Sequence, residues 1–365
     1  MKTLSIVLGD KCNLRCSFCL CLDSLNKGNS LPQEDIFRFI DWQLALYPEE
    51  NFRVEFFGGE PLIYWNKILK TYERYKGRVT WTVFTNGVFP GYVDRDLLLE
   101  MFDEIILSIE GPRDLSLDRH PSDKTYNKAL DNLRYMVEKA PTKVGVGFVL
   151  LPDTDIDRVF KFFKSLGVRY YNFEIVTHLN NDRSSGIDNK TIYKFLRYIY
   201  YNVVLEGYCF TIPRELISSE NYFSIFSRET HSCFKNFRAI APSGNIYFCR
   251  DLAANEDKVT KQSNIIYRDG RVPFNIKDLQ LNPDDTFDGS LARYESYISC
   301  PVKSFESYHL IGYGMPWIKD KDFQDLVIKP MFYFSYQLFD CFFKGIPPPD
   351  FGLYQHVIDH YDKVF

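Results

Sequence analysis

The sequence has no dominant charge. Its 44 Lys and Arg stand against 48 Asp and Glu, a formal net charge of −4 over 365 residues. No global positive field exists to gather nucleic acid or anionic lipid. No apolar run approaches the ~18 residues of a membrane span, and the opening MKTLSIVLGDKC has no long apolar segment of the export-signal kind. Neither nucleic acid nor membrane is expected as a partner, and a cytoplasmic location is expected. The most apolar stretch, Met331 to Phe343, is broken by Ser335, Gln337 and Asp340; its helically spaced aromatics suit a core or interface helix. No internal repeat is found.

With 45% hydrophobic and 25% charged residues, and 32 Phe and 25 Tyr, the composition is globular and aromatic-rich rather than disordered. The length suits one large domain with a smaller one appended. Nine cysteines without an export signal argue for metal or redox chemistry over a disulfide framework. Cys12, Cys16, Cys19 and Cys21 crowd together near the start, and the next is Cys209, followed by Cys233, Cys249, Cys300 and Cys341. Two separate sites follow from that spacing.

Up to about residue 177, β-rich runs alternate with amphipathic helical patterns, the signature of a parallel α/β sheet. Strands are expected at Thr3 to Leu8, Arg53 to Phe57, Thr80 to Thr85, Glu104 to Ile109, Lys143 to Leu150 and Arg169 to Ile175. Ser30 and Gln33 form a capping-box pattern ahead of a helix carrying Ile36, Ile40 and Leu44 on one face. Further helices are expected at Leu62 to Tyr75, Asp94 to Phe102, Thr125 to Glu138 and Ile156 to Leu166, with Gly167 as the last one's C-cap. Six such units make a curved sheet or partial (β/α)6 barrel, with chemistry at the C-terminal strand ends. The turn-rich segment 180–189 bounds it, a helix is expected over Thr191 to Leu205, and Ala241-Pro-Ser-Gly-Asn245 signals a hairpin.

Cys12, Cys16 and Cys19 are spaced C-x3-C-x2-C directly after the first strand. Three thiolates on one tight loop suit three corners of a [4Fe–4S] cube, with the fourth iron left to another ligand. A zinc site would more usually pair C-x2-C units or add histidines, and none sits close in sequence.

This motif, written C-x3-C-x-aromatic-C with Phe18 as the aromatic, resembles the signature of radical S-adenosylmethionine (radical SAM) enzymes. Gly58-Gly59-Glu60-Pro61, Thr85-Asn86-Gly87 and Ser108-Ile109-Glu110-Gly111-Pro112 resemble further motifs of that family, each at the end of an expected strand. The resemblance implies a SAM-binding [4Fe–4S] cluster on Cys12, Cys16 and Cys19. It also implies SAM contacts from Phe18, Gly58, Gly59, Glu60 (amino group), Asn86, Ser108 (carboxylate) and, at looser spacing, Arg119. Glu110 stands where many relatives have Asp and receives no role.

Cys233, Gly244 and Cys249 read as C-x10-G-x4-C, with Cys300 further on, and resemble the start of a SPASM or shortened "twitch" auxiliary domain. The full run C-x2-C-x5-C-x3-C is missing, so one auxiliary [4Fe–4S] cluster is expected. Its fourth ligand stays open between Cys341, Cys209 and a non-cysteine group, Cys341 being preferred. Cys21 is read as a bystander. The implied division is a radical SAM core over 1–180, a helical linker over 181–230, an auxiliary domain over 231–310 and a helical tail over 311–365.

The resemblance is nearest to the anaerobic sulfatase-maturating and peptide-maturase branch. It implies a ribosomally made peptide as substrate, with a crosslink, epimerisation or related modification as the outcome. An electron donor such as flavodoxin or ferredoxin is implied too. No leader-binding domain is expected before Thr3, so a leader peptide would dock on the barrel or tail, or through a separate leader-binding protein. Two other readings stand beside this one: a small-molecule radical SAM dehydrogenase or cyclase, and a non-catalytic zinc or iron–sulfur protein. No catalytic acid, base or radical-quenching residue is identified.

Overall fold

A computed structural model describes residues 2–19, 21–151, 154–175, 209–211, 237–247, 250–254, 256 and 275–277. Strand β1 (Lys2–Val7) is followed by α1 (Gln33–Leu46), β2 (Phe52–Phe57), α2 (Trp65–Tyr75), β3 (Thr80–Thr85), α3 (Arg95–Met101), β4 (Glu104–Ser108), α4 (Asp123–Lys139), β5 (Val144–Leu150), α5 (Ile156–Ser165) and β6 (Tyr170–Ile175). Strand β7 (Cys209–Thr211), the hairpin β8 (Phe237–Ile240) and β9 (Ile246–Tyr247), and the short helix α6 (Arg250–Ala254) complete the described strands and α-helices. All six expected strands form, within one residue of their anticipated ends. The sheet order is β7-β6-β5-β4-β3-β2-β1-β8-β9. Every pairing is parallel except β8 with β9.

Alternation along the strands sorts the two faces. Leu4 and Ile6 of β1, Val54 and Phe56 of β2, Trp81 and Val83 of β3, and Ile105 and Leu107 of β4 are buried in the core under the helices. The opposite face is mixed: Val7, Phe57, Phe84 and Ile106 are apolar and border a second apolar cluster or the cavity at the strand ends, beside a polar group built on Glu104. Arg53 and Glu104 lie 4.0 Å apart. Thr82 Oγ1 donates to Glu104 Oε2 at 3.1 Å, and the Tyr170 hydroxyl donates to Glu104 Oε1.

Helix starts follow local chemistry. Asp94 accepts from the backbone N–H groups of Asp96 and Leu97, Ser122 from Thr125, and Asp155 from Arg158. Each such cap is worth about 1 kcal/mol. The capping box at Ser30 does not form: Pro32 occupies the N-cap of α1 with no side-chain cap bond. Ser30 Oγ instead accepts from Lys67 Nζ, and Gln33 Nε2 donates to Thr71 Oγ1, so both polar groups are claimed by α2. The helix expected from Leu62 is divided into a 3₁₀ turn, Pro61–Tyr64, and α2.

The hairpin forms where anticipated, with Gly244 at φ +89° in its turn. Its placement was not anticipated: β8 runs parallel to β1, pairing Thr3 with Phe237 and Ile6 with Ile240, so it extends the main sheet. Strand β7 likewise falls within the stretch expected as a helical linker. The expected helices over Thr191 to Leu205 and Met331 to Phe343 lie outside the described residues. Among the described residues no helix is long and apolar enough to cross a membrane.

Candidate functional site

The loop after β1 carries the three spaced cysteines, and the end of β2 packs directly onto it. Gly59 N–H donates to Gly9 O at 3.1 Å and Glu60 N–H to Lys11 O at 2.8 Å. A Cβ on Gly59 would lie 2.3 Å from Lys11 O, and one on Gly58, which sits at φ +133°, would lie 2.6 Å from Gly9 O. The two glycines are therefore required for this backbone-to-backbone contact, whatever else they touch.

Glu60 joins the ends of β2 and β3. Its Oε1 accepts from Leu62 N at 3.0 Å and Thr85 Oγ1 at 2.8 Å, and its Oε2 from Asn86 N at 2.8 Å. A carboxylate has about four lone-pair directions, so one is left for a further donor. Burial pushes the Glu60 carboxyl up to about 7 against these hydrogen bonds. Asn86 Nδ2 reaches back to Asn13 Oδ1 at 2.7 Å and Cys12 Sγ at 3.8 Å.

The end of β4 leads into a loop that clasps the cysteine segment from the other side. Ser17 Oγ donates to Asp118 Oδ1 at 2.7 Å, and Ser17 N–H to Asp118 O. Arg119 Nε lies 2.8 and 2.9 Å from the two Glu110 oxygens, and its Nη1 lies 3.9 Å from Cys16 Sγ. The guanidinium sits 5.0 Å from the Phe18 ring centroid. Burial works against the Arg119 charge, but Glu110 together with the nearby Cys16 and Cys19 outweighs it, and the pKa is raised.

One cavity is lined by all ten residues singled out in the first half of the sequence: Cys12, Cys16, Phe18, Cys19, Gly58, Gly59, Glu60, Asn86, Ser108 and Arg119. Phe57, Phe84 and Ile106 line it too, as do Gly147 and Asn172, so it opens at the C-terminal strand ends. Burial pushes the Cys12 thiol up to about 11 and Cys16 up to about 12. Bare thiolates are disfavoured here, so the donor set calls for a strongly cationic centre to ionise it, and a thiolate-bound iron–sulfur cluster fits. Among the described residues no three or more His, Cys, Asp or Glu converge closely enough for one metal ion. Cys21 borders the same cavity but packs into a second apolar cluster with Val7, Phe237, Ala239 and Tyr247. Cys233, Cys249, Cys300 and Cys341 lie outside the described residues, as does the side chain of Cys209.

Three features were not anticipated. Glu110 is the partner of Arg119. Arg250, on α6 beyond the hairpin, borders the cavity with its guanidinium 4.5 and 4.9 Å from the Phe57 and Phe84 rings, and Nη1 lies 3.4 Å from the buried Glu55. An acidic residue at an inward position of β2 was the available signal for that pair. His120 is fully buried, with Nε2 3.0 Å from Asn86 O, which makes Nε2 the protonated nitrogen.

Nδ1 of His120 has no partner among the described residues, and burial chiefly holds the imidazole down at about 4. A base with a depressed folded-state value stabilises the fold above its unfolded value near 6.5, and that contribution is lost as pH falls toward 4. Its size is about 3 kcal/mol. We expect the loss of unfolding free energy between pH 7 and pH 4 to be smaller by about that amount in His120→Gln, measured by denaturant titration. Equal losses in both proteins would refute the assignment.

Residues 6–166 match the family model described as Radical SAM superfamily. The cysteine-type anaerobic sulfatase-maturating enzyme of Clostridium novyi is 23% identical over 206 residues, 51% of this chain and 54% of that protein. The GTP 3′,8-cyclase of Aquifex aeolicus is 29% identical over 183 residues, 46% of this chain and 54% of that protein. The matches thus span about half the length of either relative. Among solved structures, native anSMEcpe with bound AdoMet and Cp18Cys peptide superposes with a TM-score of 0.59 at 16% identity, covering 100% of this chain and 99% of that one; it shares the fold. Residues 6–166 of this chain are a radical SAM domain.

Proposed function

We propose that this chain is an enzyme that reductively cleaves SAM and uses the resulting 5′-deoxyadenosyl radical to abstract hydrogen from a ribosomally made peptide. The observation that carries this reading is the convergence of ten motif residues from the first loop and successive strand ends on one cavity. When bound, a [4Fe–4S] cluster supplies the electron that breaks the SAM sulfonium bond and an open iron for its amino and carboxylate groups. Cys12, Cys16 and Cys19 hold that cluster in this reading. Glu60 accepts from the SAM amino group through its remaining lone pair, Ser108 meets the carboxylate, and the Phe57 and Phe84 rings keep water from the radical. Cys233, Cys249 and Cys300 hold one auxiliary cluster, with Cys341 as the proposed fourth ligand.

The peptide substrate is supported by likeness to a sulfatase-maturating enzyme and to a structure solved with a peptide. The similarity to GTP 3′,8-cyclases favours a second reading, a small-molecule substrate in the same cavity. Anaerobic incubation with SAM, dithionite and peptides encoded beside the gene, against GTP as comparison, separates them. The proposal expects a peptide, and not GTP, to raise 5′-deoxyadenosine formation and to lose hydrogen by mass spectrometry. The reverse pattern would establish the second reading. About eight irons per chain are expected for two cubane clusters, falling to about four in the Cys233→Ala, Cys249→Ala, Cys300→Ala variant.

A further inference from the structure

We propose that Arg119, aimed by Glu110, is a positioning residue that sets the electron affinity of the cluster on Cys12, Cys16 and Cys19. The inference rests on the cluster reading above, and it assigns Arg119 a role other than SAM contact. Arg119 has two edges. Nε and Nη2 meet the Glu110 carboxylate at 2.7 to 2.9 Å, while Nη1 faces Cys16 Sγ at 3.9 Å. The side chains are 14% and 3% exposed, so solvent screens the pair weakly.

The arrangement is held from several sides. Phe18 lies under the guanidinium. The Ser17 bonds to Asp118 clamp the residue beside Cys16 to the residue beside Arg119. The cation therefore sits at the sulfur and the anion behind it, an oriented dipole with its positive end toward the cluster. Hydrogen bonds to ligating sulfurs and nearby charge tune iron–sulfur potentials. Adding an electron makes the cluster more negative, so a cation nearer than its counter-ion favours the reduced state.

The two partners then have opposite signs. Arg119→Gln removes the cation and leaves the anion, lowering the midpoint potential. Glu110→Gln leaves the cation uncompensated, raising it. The double variant, Glu110→Gln with Arg119→Gln, leaves no stranded buried charge and falls between wild type and Arg119→Gln. It also guards against a single variant that fails to fold.

The test is anaerobic potentiometry of the reconstituted full chain, read by electron paramagnetic resonance on the cluster signal that SAM alters, titrated before SAM is added. At a fixed poise we expect the reduced-to-oxidised ratio in Arg119→Gln to be at least tenfold below wild type, about 59 mV for one electron. The expected order of midpoints is Glu110→Gln, wild type, double variant, Arg119→Gln. Equal midpoints with weakened SAM binding would make Arg119 a SAM contact and overturn the proposal, as would equal midpoints with only a lowered melting temperature. A wild-type chain without iron on the three cysteines would instead sink the cluster reading itself.

Discussion

Replacing Cys12, Cys16 and Cys19 together by Ala is expected to abolish formation of 5′-deoxyadenosine from SAM while leaving the fold intact. The selectivity follows from what the thiols do in the protein. They occupy a loop facing a cavity at the edge of the core, where Cys16 is buried and Cys12 and Cys19 pack against the apolar cluster formed by the strands and α1 to α5. The Cys12 sulfur takes long contacts from Leu14 N at 3.4 Å and Asn86 Nδ2 at 3.8 Å, and the Cys16 sulfur from Arg119 Nη1 at 3.9 Å. Ala keeps each Cβ and drops one sulfur, so the packing loss is small beside the loss of all the ligation. About four irons per chain should disappear, with the circular dichroism spectrum unchanged. Continued SAM cleavage by the folded variant would refute the assignment.

Glu60→Ala should have the larger effect on stability. The carboxylate is 1% exposed and accepts from three donors. The backbone N–H groups of Leu62 and Asn86 cannot turn elsewhere, and a stranded buried donor costs about 1 to 3 kcal/mol. A loss of about 4 kcal/mol in anaerobic denaturant titration is expected, with weaker iron retention because the carboxylate holds Asn86, whose side chain reaches Cys12 and Asn13 of the cysteine loop. Glu60→Gln keeps one acceptor oxygen but points an amide N–H at a donor, and should lose about half as much. A Glu60→Ala protein as stable as wild type would show that these bonds do not brace the site.

Much of this was legible in the residues. Strand positions were visible because β-branched and aromatic runs alternate with helical periodicity. The site was visible because its parts are short local motifs at strand ends, where an α/β sheet gathers them. Long-range pairings were not visible. Nothing near Thr3 announces that Phe237 will lie beside it, or near Phe57 that Arg250 will stack on its ring. Glu110 carried no reading by itself because its meaning depends on Arg119, nine positions on and folded back across the loop. The capping box at Ser30 failed for a similar reason, since tertiary partners on α2 outcompeted a local bond.

The central claim is that Cys12, Cys16 and Cys19 together hold a cubane whose fourth iron accepts SAM. Mössbauer spectroscopy of iron-57-reconstituted protein, with and without SAM, addresses it directly. In a Cys233→Ala, Cys249→Ala, Cys300→Ala background the account predicts about four irons, one of which changes its isomer shift when SAM is added. Zinc in place of iron, or a cluster whose four irons all ignore SAM, would contradict it.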